Sequence, residues 1–367
     1  MILFVFVFSL GVSSIGAADW TLYRGDAAAT GRVAEADTFG DKLAIVWEQR
    51  LEKGYLQGTP VVVGNTVFIG SSDEGMCAFD LQTGKPKWKA KTAEEIIAPA
   101  AYFEGLLFVG DVMGNVYALD AESGEQTWTF KMKGTIDNSP NIDRQTKRMV
   151  IGSQDGTLFA LDAATGEKAW EYKTEDQIRC FPSIVGRHCF VAGCDTYLHV
   201  IDLDTGKGVH RILMESPTGS TPLLVGDMAY VGTEGNEFLA IDWKQEKIVW
   251  RLEMKQAVRA PAAYQEGTVI VGGMDKTVYA LDAKTGEERW KFNTKGRIEG
   301  GAIIAGNRVY VPSADSSLHV LDVKEGKKLG SVELSGKLSA SPAASGNRIL
   351  IATEEGVLTC LQSEKEK

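Results

Sequence analysis

The side chains with the most reactive chemistry gather in one short stretch of this 367-residue chain. Three of its five cysteines and three of its four histidines lie between residues 180 and 210: Cys180, His188, Cys189, Cys194, His199 and His210. Cysteine and histidine are the usual ligands of zinc, so a metal site is one interpretation. A Cys180–Cys194 disulfide is a second, because both residues fall at the same end of their predicted strands. Reduced thiols that only pack are the third.

Acidic side chains recur at regular intervals in "SxDG"-like patterns. They are Asp73, Asp111, Asp155, Asp195, Glu234, Asp275, Asp315, and Glu354 or Glu355. A ring of carboxylates would attract a cation or a basic partner. Asp also caps tight turns by bonding its own backbone two residues on. The recurrence with the repeat itself favours the capping role.

A repeat of about 40 residues positions all of these side chains. The stretch "NVYALDAESGEQTWTF" at 115–130 returns as "TLFALDAATGEKAWEY" at 157–172 and as "TVYALDAKTGEERWKF" at 277–292. A Gly follows the repeated Asp by four residues and a Trp follows it by eight. The Trp, which buries a large area, is expected to anchor its own repeat. His210 and Gly330 stand in place of that Trp in two copies, which predicts softer packing there.

Each copy reads as four short antiparallel strands. "VYALD" alternates and is rich in β formers, "DAxTG" is a turn, and the segment ending in Trp is the next strand. The stretch after each repeated Pro supplies two further strands around a tight turn. Four strands in about 40 residues are the signature of a propeller blade. We predict an all-β fold, an eight-bladed β-propeller of four-stranded antiparallel blades. Seven blades are the alternative if the last partial copy only caps the ring.

The two ends of the chain are predicted to close the ring together. The last copy, "SPAASGNRILIATEEGVLTCLQS", contains only three strands, so the N-terminal strand around Trp47 must supply the fourth. We divide the chain into a signal peptide (1–18), a lead-in segment (19–44) and a single propeller domain (45–367).

Candidate binding residues lie in the loops that precede the repeated prolines. Strand direction places these loops and the "SxDG" turns on one face of the disc, here called the upper face. The "GN" and "DAxTG" turns lie on the lower face. Residues that do not repeat collect on the upper face: Gln57, Asp137, Asn138, Arg179, Arg259, Arg297 and Glu299. Loops on a rigid scaffold often carry binding, so we predict that this face engages a partner. The opposing interpretation is that the arginines only neutralise the acidic turns.

The copies resemble the PQQ-like repeat family of eight-bladed β-propellers. The resemblance rests on the "AxDAxTGxxxW" endings and "SP…GSxDG" beginnings and covers about residues 45–362. The opening "DWTLYRGDAAATGRV" is also similar to that of the family. The family includes quinoprotein dehydrogenases, the propeller subunit of the bacterial outer-membrane β-barrel assembly machine, and sensor domains attached to kinases. The resemblance therefore implies the fold but no single function.

The quinoprotein branch of the resemblance implies groups that this chain does not carry. It implies an adjacent Cys-Cys pair against pyrroloquinoline quinone (PQQ), a Ca²⁺ ion held by acidic and amide side chains, and an Asp base. The sequence has no adjacent cysteines and its repeats leave no room for long insertions. We predict no cofactor, neither PQQ nor Ca²⁺, and no catalytic or metal-binding residue. The expected function is a non-catalytic protein-binding or scaffold module. A quinoprotein dehydrogenase-like enzyme or a small-ligand sensor is the alternative.

The start of the chain and its charge bear on location and partners. "MILFVFVFSLGVSSIGAAD" is apolar up to Asp19 and ends in small residues, which is typical of a secretory signal peptide. No cysteine directly follows it. We expect an exported monomer, periplasmic or extracellular, not lipid-anchored and without a transmembrane span after cleavage. The net charge of −10 disfavours nucleic acid, so the expected partner is an envelope protein. Arg24-Gly25-Asp26, the adhesion tripeptide, falls inside the family-like opening and is interpreted as structural.

Overall fold

The computed structural model describes residues 19–34, 39–51, 55, 56 and 58–364, and these residues form a ring of eight β-sheets. The signal peptide predicted at 1–18 lies outside the described residues. Each sheet has four antiparallel strands, which confirms the predicted all-β propeller and its eight blades. Within the described ranges, no helix is long and apolar enough to cross a membrane.

The strands follow one another from the channel outward in blades 1 to 7, and blade 8 takes its outermost strand from the start of the chain. Blade 1 contains β2 (Val61–Val63), β3 (Thr66–Ser71), β4 (Gly75–Asp80) and β5 (Pro86–Ala90); blade 2 contains β6 (Ala101–Phe103), β7 (Leu106–Gly110), β8 (Asn115–Asp120) and β9 (Gln126–Lys131); blade 3 contains β10 (Asn141–Asp143), β11 (Arg148–Gly152), β12 (Thr157–Asp162) and β13 (Lys168–Lys173); blade 4 contains β14 (Ser183–Val185), β15 (His188–Ala192), β16 (Tyr197–Asp202) and β17 (Gly208–Leu213). Blade 5 contains β18 (Leu223–Val225), β19 (Met228–Gly232), β20 (Glu237–Asp242) and β21 (Lys247–Glu253); blade 6 contains β22 (Ala263–Gln265), β23 (Thr268–Gly272), β24 (Thr277–Asp282) and β25 (Glu288–Asn293); blade 7 contains β26 (Ile303–Ala305), β27 (Arg308–Ser313), β28 (Ser317–Asp322) and β29 (Lys328–Glu333); blade 8 contains β30 (Ala343–Ser345), β31 (Arg348–Ala352), β32 (Val357–Glu364) and β1 (Lys42–Arg50).

The N-terminal strand closes the ring as the missing eighth ending predicts. β1 pairs antiparallel with β32, and Trp47 lies opposite Cys360 beside a bulge that begins at Ile45. In other blades the repeated Trp lies opposite a small residue of the third strand in the same way, as Trp88 does with Ala78. β1 and β32, which lie far apart in the sequence, are therefore hydrogen-bonded in one sheet, and blade 8 has four strands like the others.

The repeated tryptophans hold neighbouring blades together rather than only anchoring their own. In six of the eight blades the Trp indole Nε1 donates to a backbone carbonyl in the "DAxTG"-type turn of the next blade, at 2.8–3.2 Å. In the same turn the repeated Gly lies against the indole ring. A Cβ added at Gly206, for example, would lie 2.7 Å from Trp170. This close approach, together with a φ of 70°, explains why the position is Gly.

In the two copies without Trp, aromatic side chains from other parts of the chain lie near the vacant position, and the softer packing expected of these blades stays a prediction. In blade 4, His210 Nδ1 lies 2.8 Å from Glu246 Oε1, and Glu246 replaces the repeated Gly of the next turn. Trp243 from that turn packs over both His210 and Phe190. His210 replaces the repeated Trp and Glu246 replaces the repeated Gly, and the two replacements have one cause. The turn that carries Trp243 and Glu246 packs against His210, where other blades place a Trp against a Gly.

In blade 7 the start of the chain takes the place of the missing Trp. Phe39 is buried and its ring lies 5.8 Å from that of Tyr310. The Tyr310 hydroxyl donates to the Gly40 carbonyl at 3.0 Å. A Cβ on Gly330 would lie 2.6 Å from the Asp41 carbonyl oxygen. Gly330 is therefore the residue that leaves room for residues 39–41.

Candidate functional site

The segment from Asp19 to Ala34 runs through the central channel and bonds to the inner strands of the ring. Trp20 forms a bridge with Val62 of β2, and the Thr21 carbonyl accepts from Tyr102 N at 2.8 Å. Further along, the carbonyls of residues 27, 28, 30 and 31 accept from the backbone N–H groups of β14, β18, β22 and β26. Such a set of contacts satisfies the free inner edges of these sheets. We call residues 19–34 the plug.

Arg24 is the central side chain of the plug. It is fully buried, and its terminal nitrogens donate to the carbonyls of Ala262 at 3.2 Å, Gly301 at 2.9 Å and Ala302 at 2.5 Å. Burial lowers the pKa of Arg24 to about 10. Gly301 stands where most other copies have Pro, and a Cβ there would lie 2.6 Å from the guanidinium. The tripeptide Arg24-Gly25-Asp26 is thus an internal structural element.

The plug contributes to a pocket that the loops of the upper face form. The cavity has a volume of about 320 Å³, and Tyr23 of the plug contributes to its lining. Its polar walls come from the predicted residues Asp137, Asn138 and Arg179 and from hydroxyl side chains of blades around the ring, namely Thr59, Ser139, Thr221, Ser339 and Ser341. The structure therefore brings three of the seven predicted site residues together at one place.

Arg259, Arg297 and Glu299 do not line this pocket. Arg259 binds Glu234 through two nitrogens at 2.8 and 3.0 Å, and Arg297 Nε lies 3.1 Å from Glu299. Arg179 Nε in turn lies 3.2 Å from Asp137. Each predicted arginine thus has a carboxylate partner, as the neutralising interpretation expects. Gln57 lies outside the described residues.

The acidic turns use their carboxylates within the fold. Asp111 accepts from the backbone of Met113 and Asn115 through Oδ1, and from the Asn115 amide and the Tyr117 hydroxyl through Oδ2. Asp275 and Tyr279 repeat the hydroxyl contact at 2.8 Å in blade 6. The Asp111 and Asp275 carboxylates are thus hydrogen-bonded within their own loops, which supports the capping role at these two turns.

The cysteines and histidines of blade 4 have packing roles. All five cysteines are free thiols, so no Cys180–Cys194 disulfide is present. Cys180 Sγ accepts from Ala192 N at 3.2 Å, and burial raises the pKa of Cys180 to about 12. His199 Nε2 lies 2.8 Å from Asp195 Oδ2, and its Nδ1 lies 3.0 Å from the Tyr172 hydroxyl. In the part of the chain that the structure describes, no three His, Cys, Asp or Glu side chains converge as metal ligands.

Sequence reasoning missed the plug because its contacts come from backbone groups and from one arginine. A usable signal does exist. Gly301 breaks the repeated Pro position, and Gly31, whose Cβ would lie 2.1 Å from Arg24 Nη2, follows in the unrepeated opening. Gly31 and Gly301 both leave room for the buried guanidinium of Arg24, and they mark where the plug meets blade 7.

The fold and its plugged channel define an eight-bladed propeller of the PQQ-like repeat class. A family model described as outer membrane protein assembly factor BamB matches residues 12–101, 93–180, 175–253 and 239–329, which together exceed half of the chain. The chain therefore belongs to this family.

Individual relatives carry different functions. The chain is 28% identical over 98 residues to outer membrane protein assembly factor BamB from Burkholderia pseudomallei (26% of each chain) and 26% identical over 124 residues to tetrathionate hydrolase from Acidithiobacillus ferrooxidans (27% of this chain, 25% of that protein). The aligned segments thus span about a quarter of these relatives' own length.

Two solved structures share the fold with low sequence identity. BamB from Moraxella catarrhalis aligns with a TM-score of 0.74 at 19% identity, over 88% of this chain and 100% of its own. Quinohemoprotein alcohol dehydrogenase from Comamonas testosteroni aligns with a TM-score of 0.80 at 15% identity, over 95% of this chain and 81% of its own. An outer membrane assembly factor and an alcohol dehydrogenase are thus similarly close in fold, and the fold alone does not separate the two functions.

The cofactor of the quinoprotein branch does not fit the residues at the channel mouth. PQQ carries three carboxylates, whereas Arg179 is the one cationic side chain among the described residues that line the pocket. That side chain already contacts Asp137. The donor set is instead rich in neutral hydroxyls, which complement a highly charged anion poorly.

Proposed function

We propose that this protein is a non-catalytic, exported scaffold whose upper face binds a protein partner in the cell envelope. The family description, an outer membrane protein assembly factor, supports a binding role. The apolar, signal-like start of the sequence supports export to the periplasm or the outside. In this proposal the monomeric ring is a rigid support and the loops of its upper face carry recognition.

The observation that carries this proposal is a set of arginines that are oriented and yet exposed. The side chains of Arg179, Arg259 and Arg297 are 51%, 50% and 45% exposed, although each contacts a carboxylate. Such ion pairs contribute little stability at a surface, so stability alone does not account for three of them in the loops of the upper face. Held in one orientation, an arginine fork is ready to bind a partner's carboxylates or carbonyls at low entropic cost.

Exposed apolar side chains add to the same face. Met113, in the turn between β7 and β8, is 58% exposed, and Tyr55, in the loop before β2, is 37% exposed. Glu95 links the two loops, because it accepts from the Tyr55 hydroxyl at 2.9 Å and from Val112 N through its carbonyl at 3.1 Å. Aromatic, Met and Arg side chains are the types enriched in protein interfaces.

Catalysis is the competing proposal because dehydrogenases are among the relatives. It has less support in this chain, since the sequence has no adjacent cysteine pair and the pocket residues do not fit a tricarboxylate quinone. Dye-linked oxidation of common alcohols after addition of PQQ and Ca²⁺ tests it directly. Turnover would favour the enzyme.

The scaffold proposal is tested by capture from native envelope extracts with three purified proteins. The first is the wild type, and the second combines Arg179→Ala with Arg259→Ala. The matched control is Arg289→Ala, because Arg289 pairs with Asp282 on the lower face and is 40% exposed. We expect the double variant to lose a partner that the wild type and the control both retain, with melting little changed in all three. Equal capture by the double variant, or equal loss by the control, would move the interface away from the upper face.

A further inference from the structure

A cleft opens on the lower face between blades 5 and 6, and we call it the lower cleft. Its volume is about 640 Å³, in the middle of the range of small-molecule pockets. Residues from all four strands of blade 5 line one side. The turn between β22 and β23 and the turn after β24 line the other side, in blade 6. The cleft is therefore a gap between two neighbouring blades rather than part of the central channel.

The lower cleft exists because of the first residue of β19, which is Met228. In blades 3 and 8 the second strand begins instead with Arg148 and Arg348. Arg148 Nη1 crosses to the next blade and donates to the Leu203 carbonyl at 3.3 Å, and Arg348 Nη1 reaches the Leu81 carbonyl at 3.0 Å. Met228 has no N–H group to donate across the gap, so the space that an arginine bridges in those blades stays open here.

The inner part of the lower cleft is apolar. Tyr230 is buried, and its hydroxyl donates to the Ala283 carbonyl at 3.0 Å, so its polar atom is already satisfied. Val225, Met228 and Tyr264 are half-buried and pack against the same cluster. Burial of apolar surface contributes about 25 cal/mol per Å², so these walls favour a ligand with an apolar body over a hydrated one.

The outer part of the lower cleft carries an excess of positive charge. Lys247 and Lys284 line it, are exposed, and make no side-chain hydrogen bond or ion pair among the described residues. Arg289 and Asp282 also line it but pair with each other at 2.7 Å. Asp242 is the remaining charged residue, and its Oδ1 accepts from two backbone N–H groups of its own turn. Three cations and two carboxylates thus leave one positive charge in excess.

The polar groups that are free to bind a ligand are mainly donors. The Tyr264 hydroxyl accepts from Gly267 N at 3.1 Å, so its own proton is available to a ligand. The ammonium groups of Lys247 and Lys284 donate and do not accept. A carboxylate accepts several hydrogen bonds at once, and such charge-assisted bonds are about twice as strong as neutral ones. The lysines would repel a cation, and a neutral polyol would leave its hydroxyls against the apolar walls.

We propose that the lower cleft binds a small amphiphilic monocarboxylate, such as a medium-chain fatty acid, with its chain on Met228 and Tyr230 and its carboxylate at Lys247 and Lys284. The lysine stems extend the apolar surface while their ammonium groups stay in water. The single excess charge of the cleft matches a single carboxylate. The site lies on the opposite face from the proposed protein interface, so its test does not depend on the scaffold role.

The test is calorimetric titration of the wild-type protein with sodium octanoate. We expect saturable binding of one molecule per chain with a Kd of about 1 mM or tighter. Two matched compounds separate the parts of the ligand: acetate keeps the carboxylate without the chain, and octylamine keeps the chain but is cationic at neutral pH. Each should bind about tenfold more weakly than octanoate, or more weakly still.

Met228→Arg is the variant that fills the lower cleft. The new guanidinium should reach the Ala283 carbonyl as Arg148 reaches that of Leu203, so the substitution has a precedent in the same ring. It also adds a positive charge, and a general attraction for anions would therefore grow. A site that depends on the open cleft should instead lose octanoate affinity about tenfold or more, because the apolar space is occupied.

A pair of lysine substitutions tests the carboxylate end. Lys247→Gln combined with Lys284→Gln should weaken octanoate binding about tenfold, because both charged donors are lost. The matched control is Lys324→Gln. Lys324 follows Asp322 by two residues in blade 7, as Lys284 follows Asp282 in blade 6, and it does not line the lower cleft. This control should bind octanoate like the wild type.

Several outcomes would overturn the inference. They are the absence of saturable heat for octanoate, equal binding of octylamine or acetate, unchanged affinity in a folded Met228→Arg variant, and equal loss in Lys324→Gln. If melting shows that Met228→Arg is unfolded, the lysine pair and its control decide. Vesicles of phosphatidylglycerol present an anion and acyl chains at a membrane surface. Sedimentation of the protein with these vesicles, without octanoate binding, would assign the lysines to a membrane surface and refute a site for a free acid.

Discussion

The contact between each Trp and the Gly of the next blade makes a quantitative prediction at Gly206. A Cβ added there would lie 2.7 Å from the Trp170 ring, well inside van der Waals contact, at a residue whose φ is 70°. The left-handed backbone costs an alanine about 1 kcal/mol. Displacing a packed indole costs about 1–3 kcal/mol more. Gly206→Ala should therefore lower the free energy of unfolding by about 2–4 kcal/mol.

A matched glycine in the same blade separates the two effects. Gly186 has a φ of 56°, and nothing lies within 4 Å of a Cβ added to it. Gly186→Ala therefore carries the backbone cost alone, about 1 kcal/mol. Urea denaturation of both variants, followed by tryptophan fluorescence, measures the difference. Equal losses in the two variants would refute the claim that the indole contact, rather than backbone strain, keeps the position as Gly.

Two further predictions concern the plug and a buried histidine. Arg24→Met should lower the free energy of unfolding by about 3 kcal/mol or more in urea, because three buried carbonyls lose a charged donor; the exposed Arg32→Met is the control, and an equal effect would contradict a structural role for Arg24. Burial lowers the pKa of His319 against the opposing field of Asp315, so the unfolded chain binds the proton more tightly and stability should fall as pH drops below about 6.5. His319→Asn should flatten the melting temperature between about pH 7 and pH 5.5, and an unchanged slope would exclude His319 as its source.

The fold could be predicted from the sequence because the repeat encodes the same local structure eight times. The alternation of "VYALD", the Asp-capped turn and the spaced Trp each favour the same blade, so errors in one copy are corrected by the others. The closing strand was also predictable, since a missing fourth strand at one end matched an unpaired Trp47 at the other.

The site could be predicted only in part, because it depends on contacts between parts of the chain that do not share the repeat. Asp137, Asn138 and Arg179 stand out in the sequence as unrepeated loop residues, and they do line the pocket. Arg259 gives the same sequence signal but lies elsewhere. The role of Tyr23 was not predictable, because it depends on the path of the plug, and a segment without β periodicity leaves no pattern to read.

The two blades without the repeated Trp show a second limit. At the position of the repeated Trp, the sequence has His210 in blade 4 and Gly330 in blade 7. This position alone predicts the loss of the indole ring and shows nothing of what takes its place. The structure supplies Trp243 to one site and Phe39 to the other. The aromatic neighbour comes from another part of the chain rather than from the repeated position, and one sequence does not show which distant residue provides it.

The order of bonds along the plug has a consequence for how the chain folds. From Trp20 to Gly31, its backbone bonds go to blades 1, 2, 4, 5, 6 and 7 in turn, which is the order in which those blades leave the ribosome or an export pore. The segment can act as a template, with each new blade docking on the next carbonyl. Pairing β1 with β32 in an open coil would close a loop of roughly 300 residues, at an entropic cost of about 5 kcal/mol. If each blade docks in turn on the plug, the entropic cost of closing the ring is divided among several short loops, and β1 and β32 are already close together when they pair.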